Sequence, residues 1–217
     1  MNSYLSSLLK SSPHLYAWEK EYKLKGKLWR GMSTSFDFAT YLPTGAKVLE
    51  LGCGDGKTLA ALVAGEFQVT GIDVSPTAVN LAKEKIGDKA KFVVGGVCSL
   101  PFKRKSFDAV VAIHVFDHLT ENERKLAVKE AKRVLKPGGV LFFEGFSVKD
   151  FRFGKGVEVE PKTFRRKNNV WYHYFSLVEA KRLFFDFELV NCAEECASRS
   201  ISGQKVDRCT VKFIGKK

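Results

Sequence analysis

The residues best suited to chemistry begin at "VLELGCGDGKT", residues 48–58, where an apolar run leads into glycines at positions 52, 54 and 56. Gly52, Gly54 and Gly56 tolerate backbone angles that other residues resist, and their missing side chains let a ligand lie against the main chain. Two acids, Glu50 and Asp55, stand in and beside this loop. Carboxylates repel a diphosphate but attract a ligand bearing an ammonium and a sulfonium. A dinucleotide loop usually reads G-x-G-x-x-G; here the third glycine comes one residue early. Asp73 lies 19 residues beyond Gly54, where an acid can accept hydrogen bonds from ribose hydroxyls. A cationic, nucleoside-bearing ligand is expected, and a nicotinamide cofactor is disfavoured.

The elements that must hold these residues follow from the hydrophobic pattern. Strands are expected at 46–51, 68–73, 90–95, 107–113 and 140–146, with helices at about 57–64, 77–86 and 121–135 between them and the "PGG" at 137–139 as a turn. Short apolar runs separated by helical segments predict an α/β fold, doubly wound, with a mostly parallel sheet and helices on both faces. In such a sheet ligands bind outside the carboxyl ends of the strands where strand order reverses. The glycine loop ends the first strand, so it falls there.

With 217 residues and 45% apolar content, the chain can bury the core of one domain. No window approaches about 18 uninterrupted apolar residues, and no secretory leader is visible, so a cytoplasmic protein with no membrane span is expected. The five cysteines, Cys53, Cys98, Cys192, Cys196 and Cys209, form an odd set without C-x-x-C pairs. That favours reduced thiols packed on strands and no metal site. The net charge is +12, and residues 151–217 hold 14 Lys+Arg against 8 Asp+Glu, half of that excess. The densest run, "KTFRRK" at 162–167, suits an anionic substrate or nucleic acid, or a solvated face.

Four blocks in order, "VLELGCGDGKT", "GIDVS", "FVVGGVCSLPFKRKSFDAVVAIHVFDHL" and "AKRVLKPGGVLFFE", together resemble the class I S-adenosylmethionine-dependent methyltransferases over roughly residues 45 to 145, and more loosely to the C-terminus. The resemblance implies a Rossmann-like, seven-stranded sheet whose C-terminal strand is antiparallel. It implies a methyltransferase domain over 45–217, with a substrate-side insertion at about 147–175, behind an N-terminal helical lid segment at 1–44. The cofactor implied is S-adenosyl-L-methionine, leaving as S-adenosyl-L-homocysteine. Glu50, Gly52, Cys53 and Gly54 match the motif that lies against its methionine part. Asp73 matches the acid that binds the ribose, with Val74 beside the adenine. Val97 and Cys98 match the loop at the adenine, and Ala112 and Ile113 match the strand end beneath the methionine portion. Many relatives read "GDA" where this chain reads Gly95-Gly96-Val97, so contact with the adenine amine is expected to pass to backbone groups or to Cys98.

Within the lid-like "AWEKEYKLKGKLWRG", Trp29 is expected to cover the sulfonium by cation–π attraction and Arg30 to pair with the cofactor carboxylate. Methyl transfer needs alignment and a dry pocket, and a base only when the nucleophile arrives protonated. The candidates for such a base are His118, His173 and Tyr172, with His114, Asp117 and Glu144 nearby. The basic and aromatic stretch 151–184 must choose the acceptor. A small metabolite is preferred; the alternatives are tRNA, other RNA or a translation factor, with a partner subunit, and a non-catalytic nucleoside-binding module.

Overall fold

The computed structural model describes Ser6 and residues 12–26, 36–201 and 203–217. The elements are α1 (Pro13–Lys25), β1 (Lys47–Leu51), α2 (Lys57–Ala64), β2 (Gln68–Asp73), α3 (Pro76–Ile86), β3 (Ala90–Val94), β4 (Phe107–Ile113), α4 (Glu121–Val134), β5 (Leu135–Phe146), β6 (Val157–Glu160), β7 (Thr163–Arg165), β8 (Trp171–His173), α5 (Leu177–Leu183), β9 (Glu188–Ile201) and β10 (Gln204–Lys216). Strands β1 to β5, β9 and β10 form one sheet in the order β3-β2-β1-β4-β5-β10-β9, in which β10 alone runs antiparallel. The expected doubly wound α/β architecture is the one observed. Strand order reverses between β1 and β4, whose register pairs Glu50 with Val111 and Leu51 with Ala112.

Both faces of the sheet are covered. Ala127, Ala131 and Val134 of α4, Ala180 of α5 and Phe184 just after it pack on one face with Leu49, Leu51 and Val110; Leu59 and Leu62 of α2 and Ala82 of α3 pack on the other with Val48 and Val111. Helix starts follow local chemistry. Thr120 and Glu123 close a capping box on α4, while Ser75 caps α3, where Pro76 stands at the first helical position.

Three features depart from the sequence reading. β5 runs through "PGG" from Leu135, because Gly138 and Gly139 are held by backbone hydrogen bonds to Lys217. The insertion carries its own antiparallel sheet, β6-β7-β8. Of the five cysteines expected to be reduced, Cys196 and Cys209 are a disulfide, since they face each other directly across β9 and β10; Cys53, Cys98 and Cys192 are free. Among the described residues no group of three or more His, Cys, Asp or Glu could hold a metal, and no helix is long and apolar enough to cross a membrane.

Candidate active site

Outside the carboxyl ends of β1, β2 and β4 lies a cavity of about 350 Å³. Its floor is the glycine loop. Gly52, Gly54 and Gly56 all have positive φ. Gly54 lies under the Tyr22 hydroxyl, so closely that an added Cβ would come within 2.5 Å of it. Glu50, Asp55 and Asp73 are all buried on its wall. Asp73 accepts from the Gly54 N–H through Oδ2 and from the Ser75 N–H through Oδ1, each at 2.9 Å. Burial pushes its carboxyl up to about 6, against the pull of those two N–H groups. Burial also raises Glu50 well above the usual carboxylate range. Among the described residues, Glu50 Oε2 and Asp55 Oδ2 are buried without a hydrogen-bond partner. Unpaired buried carboxylate oxygens cost stability, so the wall is built to meet donors that the protein itself does not supply.

Helix α1 forms the roof, with Leu15, Trp18 and Tyr22 facing the cavity. It is held at two points. Glu19, buried, accepts from the hydroxyls of Ser75 and Thr77 and from the Thr77 N–H. His14 lies 3.0 Å from Glu123 and stacks on Trp171 at 4.6 Å. Burial works against the Glu123 carboxylate, but bonds from His14 and Thr120 hold its carboxyl down at about 2. Removing Glu19 leaves three donors of α3 and its cap without that acceptor, at a cost of about 1–3 kcal/mol. Glu19→Ala is therefore expected to lower stability by that amount in denaturant unfolding and to speed amide exchange over residues 13–25. Unchanged exchange there would mean that Glu19 does not hold the helix.

Of the residues expected to hold the cofactor, Glu50, Gly52, Cys53, Gly54 and Asp73 line the cavity, and so do Val74, Val97, Cys98 and Ile113. Ala112 does not; it is fully buried in the sheet beneath. Trp29 and Arg30 lie outside the described residues. Among the described residues the aromatic roof is Trp18 and Tyr22. A signal for them existed: His14, Trp18 and Tyr22 follow each other at four-residue spacing and so share one helix face.

The catalytic candidates separate. His118 lines the cavity, and burial pushes its ring down to about 4. Its Nδ1 donates to the Trp171 carbonyl at 2.7 Å, which leaves Nε2 as an acceptor. His173 is away from the cavity, with Nδ1 at 2.8 Å from Thr163 Oγ1 and Nε2 at 2.7 Å from Glu179; it ties β8 to β7 and α5. Tyr172 is half-buried, its ring centred 5.0 Å from that of His118 and 6.5 Å from that of Trp18. His114 has the most developed setting. At φ +52 it turns sharply off β4 into the cavity, stacks on Phe146 at 4.1 Å, and places Nδ1 3.0 Å from Asp117 Oδ2.

Comparison with known proteins places this geometry. The family described as a methyltransferase domain matches residues 49–143. A 2-methyl-6-phytyl-1,4-hydroquinone methyltransferase of Synechocystis is 35% identical over 67% of this chain and 44% of its own length. A tRNA (carboxymethyluridine(34)-5-O)-methyltransferase of Arabidopsis thaliana is 37% identical over 48% of this chain and 25% of its own. The chain spans about half or less of the length of the curated relatives it matches. Among solved structures, a SAM-dependent methyltransferase of Methanosarcina mazei superposes with a TM-score of 0.72 at 26% identity, covering 86% of this chain and 99% of that one. That family's cofactor is S-adenosylmethionine, and its motif falls on the loop, strand ends and acid that enclose the cavity. Residues 49–143 carry a methyltransferase domain, and the described residues share the fold of the class I S-adenosylmethionine-dependent methyltransferases.

Proposed function

We infer that the chain transfers the methyl group of S-adenosylmethionine to a small-molecule acceptor bound under helix α1. The observation that carries this reading is the carboxylate wall: Glu50 Oε2 and Asp55 Oδ2 are buried without partners beside a glycine floor. That donor set fits the cofactor, whose ammonium and sulfonium meet negative charge while the glycine loop admits its methionine part. Glu50 and Asp55 would face the cationic end. Asp73 would hold the ribose, since each of its oxygens spends one acceptor site on a backbone N–H and keeps another. Trp18 and Tyr22 would exclude water from above. When bound, the cofactor supplies a methyl group on a sulfonium, activated for in-line displacement. The residues of this chain orient the acceptor, keep it dry and, at His114 Nε2, can receive its proton.

A compact roof of aromatic side chains favours a small acceptor over a nucleotide held in folded RNA. The named relatives do not choose between the two, because one acts on a hydroquinone and another on tRNA. Calorimetric titration with S-adenosylhomocysteine and NAD tests the cofactor, and binding of NAD alone would overturn it. Labelled methyl transfer into fractionated cell extract tests the acceptor; label confined to RNA would replace the small-molecule reading.

A pH dependence follows from Asp73. Burial raises its folded-state pKa from an ordinary value of 3.8 to about 6. Without a ligand, ionisation of this group therefore costs the fold stability as pH rises between those values. Ribose hydroxyls donate to the ionised form, so binding favours loss of the proton. Affinity for S-adenosylhomocysteine is expected to rise about tenfold from pH 5 to pH 7 and then level off. Asp73→Asn should bind more weakly and flatten that rise, measured by calorimetry at each pH. A rise that survives intact in Asp73→Asn would assign it to another group.

A further inference from the structure

A second pocket, of about 550 Å³, opens between the β6-β7-β8 sheet and the segment after β5, lined by Arg152, Gly156, Arg166, Lys167, Asn168 and Tyr172. None of the six is acidic. Arg166 is half-buried, and its Nη2 donates to the Arg152 carbonyl and to the Tyr174 hydroxyl, each at 2.9 Å. Tyr174 is fully buried, so one corner of the guanidinium is fixed while its remaining donors stay available. Among the described residues Arg166 makes no ion pair. Arg152 chelates Asp150 through Nε and Nη2, but that single carboxylate also takes Arg208 Nε at 3.2 Å. Three guanidiniums and Lys167 thus stand against one internal carboxylate. From the α1 side, Glu21 also acts on Tyr172, and it is already paired with Lys25.

This pocket shares a wall with the donor cavity. The Tyr172 ring is within 5.0 Å of His118, which lines the cavity, and 5.5 Å from the Arg166 guanidinium. Phe146 has His114 stacked on it at 4.1 Å and the Arg152 guanidinium at 4.0 Å. Two groups cannot share one ring face at those distances, so the ring lies between them. A solvated basic patch does not need its arginine fastened to a buried tyrosine or its cavity backed by the wall of a methyl-transfer site.

We propose that Arg166, with Arg152 and Lys167, binds an anionic group of the methyl acceptor, a phosphate or a carboxylate, so that the acceptor reaches past Tyr172 into the donor cavity. A planar guanidinium matches either group with paired hydrogen bonds. The assignment rests on the methyltransferase reading.

The test uses the full chain saturated with S-adenosylhomocysteine, titrated at constant ionic strength with inorganic phosphate, with acetate and with a single-stranded RNA oligonucleotide. Binding is followed in the arginine Nε–H NMR signals. Saturable, one-site binding of phosphate or acetate is expected, the tighter of the two identifying the group. Arg166→Gln should weaken it at least tenfold and Lys167→Gln about threefold, with S-adenosylhomocysteine affinity unchanged in both. Arg165→Gln, on the exposed side of β7, should leave binding as in the parent. Absence of saturation by either anion, or equal binding in Arg166→Gln and the parent, overturns the proposal. So does RNA binding that Arg165→Gln and Arg166→Gln weaken alike while neither small anion binds. Cofactor binding without anion binding rejects only this pocket; failure to bind S-adenosylhomocysteine rejects the methyltransferase reading itself.

Discussion

Replacement of His114 by glutamine is expected to slow methyl transfer by about 10²- to 10⁴-fold while S-adenosylhomocysteine affinity changes less than about threefold. The ring is positioned with unusual care. A left-handed backbone angle is uncommon for any residue with a side chain, and such positions concentrate at functional sites. Asp117, fully buried, splits its two oxygens between His114 Nδ1 at 3.0 Å and the Phe146 N–H at 2.7 Å. It therefore sets both the imidazole and the ring that backs it. With Nδ1–H donating to Asp117, Nε2 is left to take the proton of an acceptor hydroxyl, and Glu144 Oε1 lies 4.0 Å from it. His118 is a poor base. Burial holds it at about 4, so near pH 7 it is neutral and serves to accept a hydrogen bond rather than to keep a proton. Incorporation of labelled methyl from S-adenosylmethionine, with cofactor affinity measured in parallel, checks this. A variant with the full rate would show that the nucleophile arrives unprotonated and that His114 is not its base.

The sheet was legible because it is written in short-range pattern. Strands β2 and β4 and helix α2 coincide with the expected spans, and the ends of β1, β3, α3 and α4 shift by one residue. What escaped is what tertiary pairing makes. β7 and β8 are three residues each, too short for any periodicity, and exist because Thr163 pairs with His173 and Arg165 with Trp171. β9 and β10 extend well past their apolar portions. Their outer ends, Ala197–Ile201 and Gln204–Arg208, pair with each other beyond the reach of β5, so their polar residues carry no alternation to read. The Cys196–Cys209 bridge belongs to that hairpin register and cannot be deduced from spacing alone.

The donor side of the site was equally legible, because a glycine loop and an acid at a strand end are local features. The roof was not. Trp29 and Arg30, given a cofactor role from the lid-like segment, lie outside the described residues; the helix carrying Trp18 and Tyr22 is fixed by Glu19 on α3 and His14 on α4, contacts 58 and 109 residues away in the chain. His114 and Asp117 were visible as candidates, but only the turn after β4 brings them together, while His173 on β8 is held by Thr163 and Glu179. Arg152 and Arg166 fell in the basic and aromatic stretch 151–184; their shared pocket appears once β6, β7 and β8 fold back beside Phe146.

Substitution of Gly52 by alanine is expected to weaken S-adenosylhomocysteine binding by at least about 100-fold and to cost about 2–4 kcal/mol of stability. Two effects combine. Gly52 has φ +63, where a Cβ is strained. That Cβ would also come within 2.6 Å of Val115 Cγ2 and 2.8 Å of Val115 Cβ, so the loop after β1 and the loop after β4 would have to separate. Those loops are opposite walls of the donor cavity, one carrying Gly54 and Asp55, the other His114. Gly87 isolates the first effect, since it has the same φ of +63 but no atom within 4 Å of its would-be Cβ. Gly87→Ala should therefore cost about 1–3 kcal/mol through backbone strain alone and leave cofactor binding unchanged. Denaturant unfolding and calorimetry on both variants separate backbone strain from displacement of the cavity wall. If Gly52→Ala binds the cofactor as well as Gly87→Ala does, the close approach of Val115 is not what shapes the cavity, and the glycine serves the turn alone.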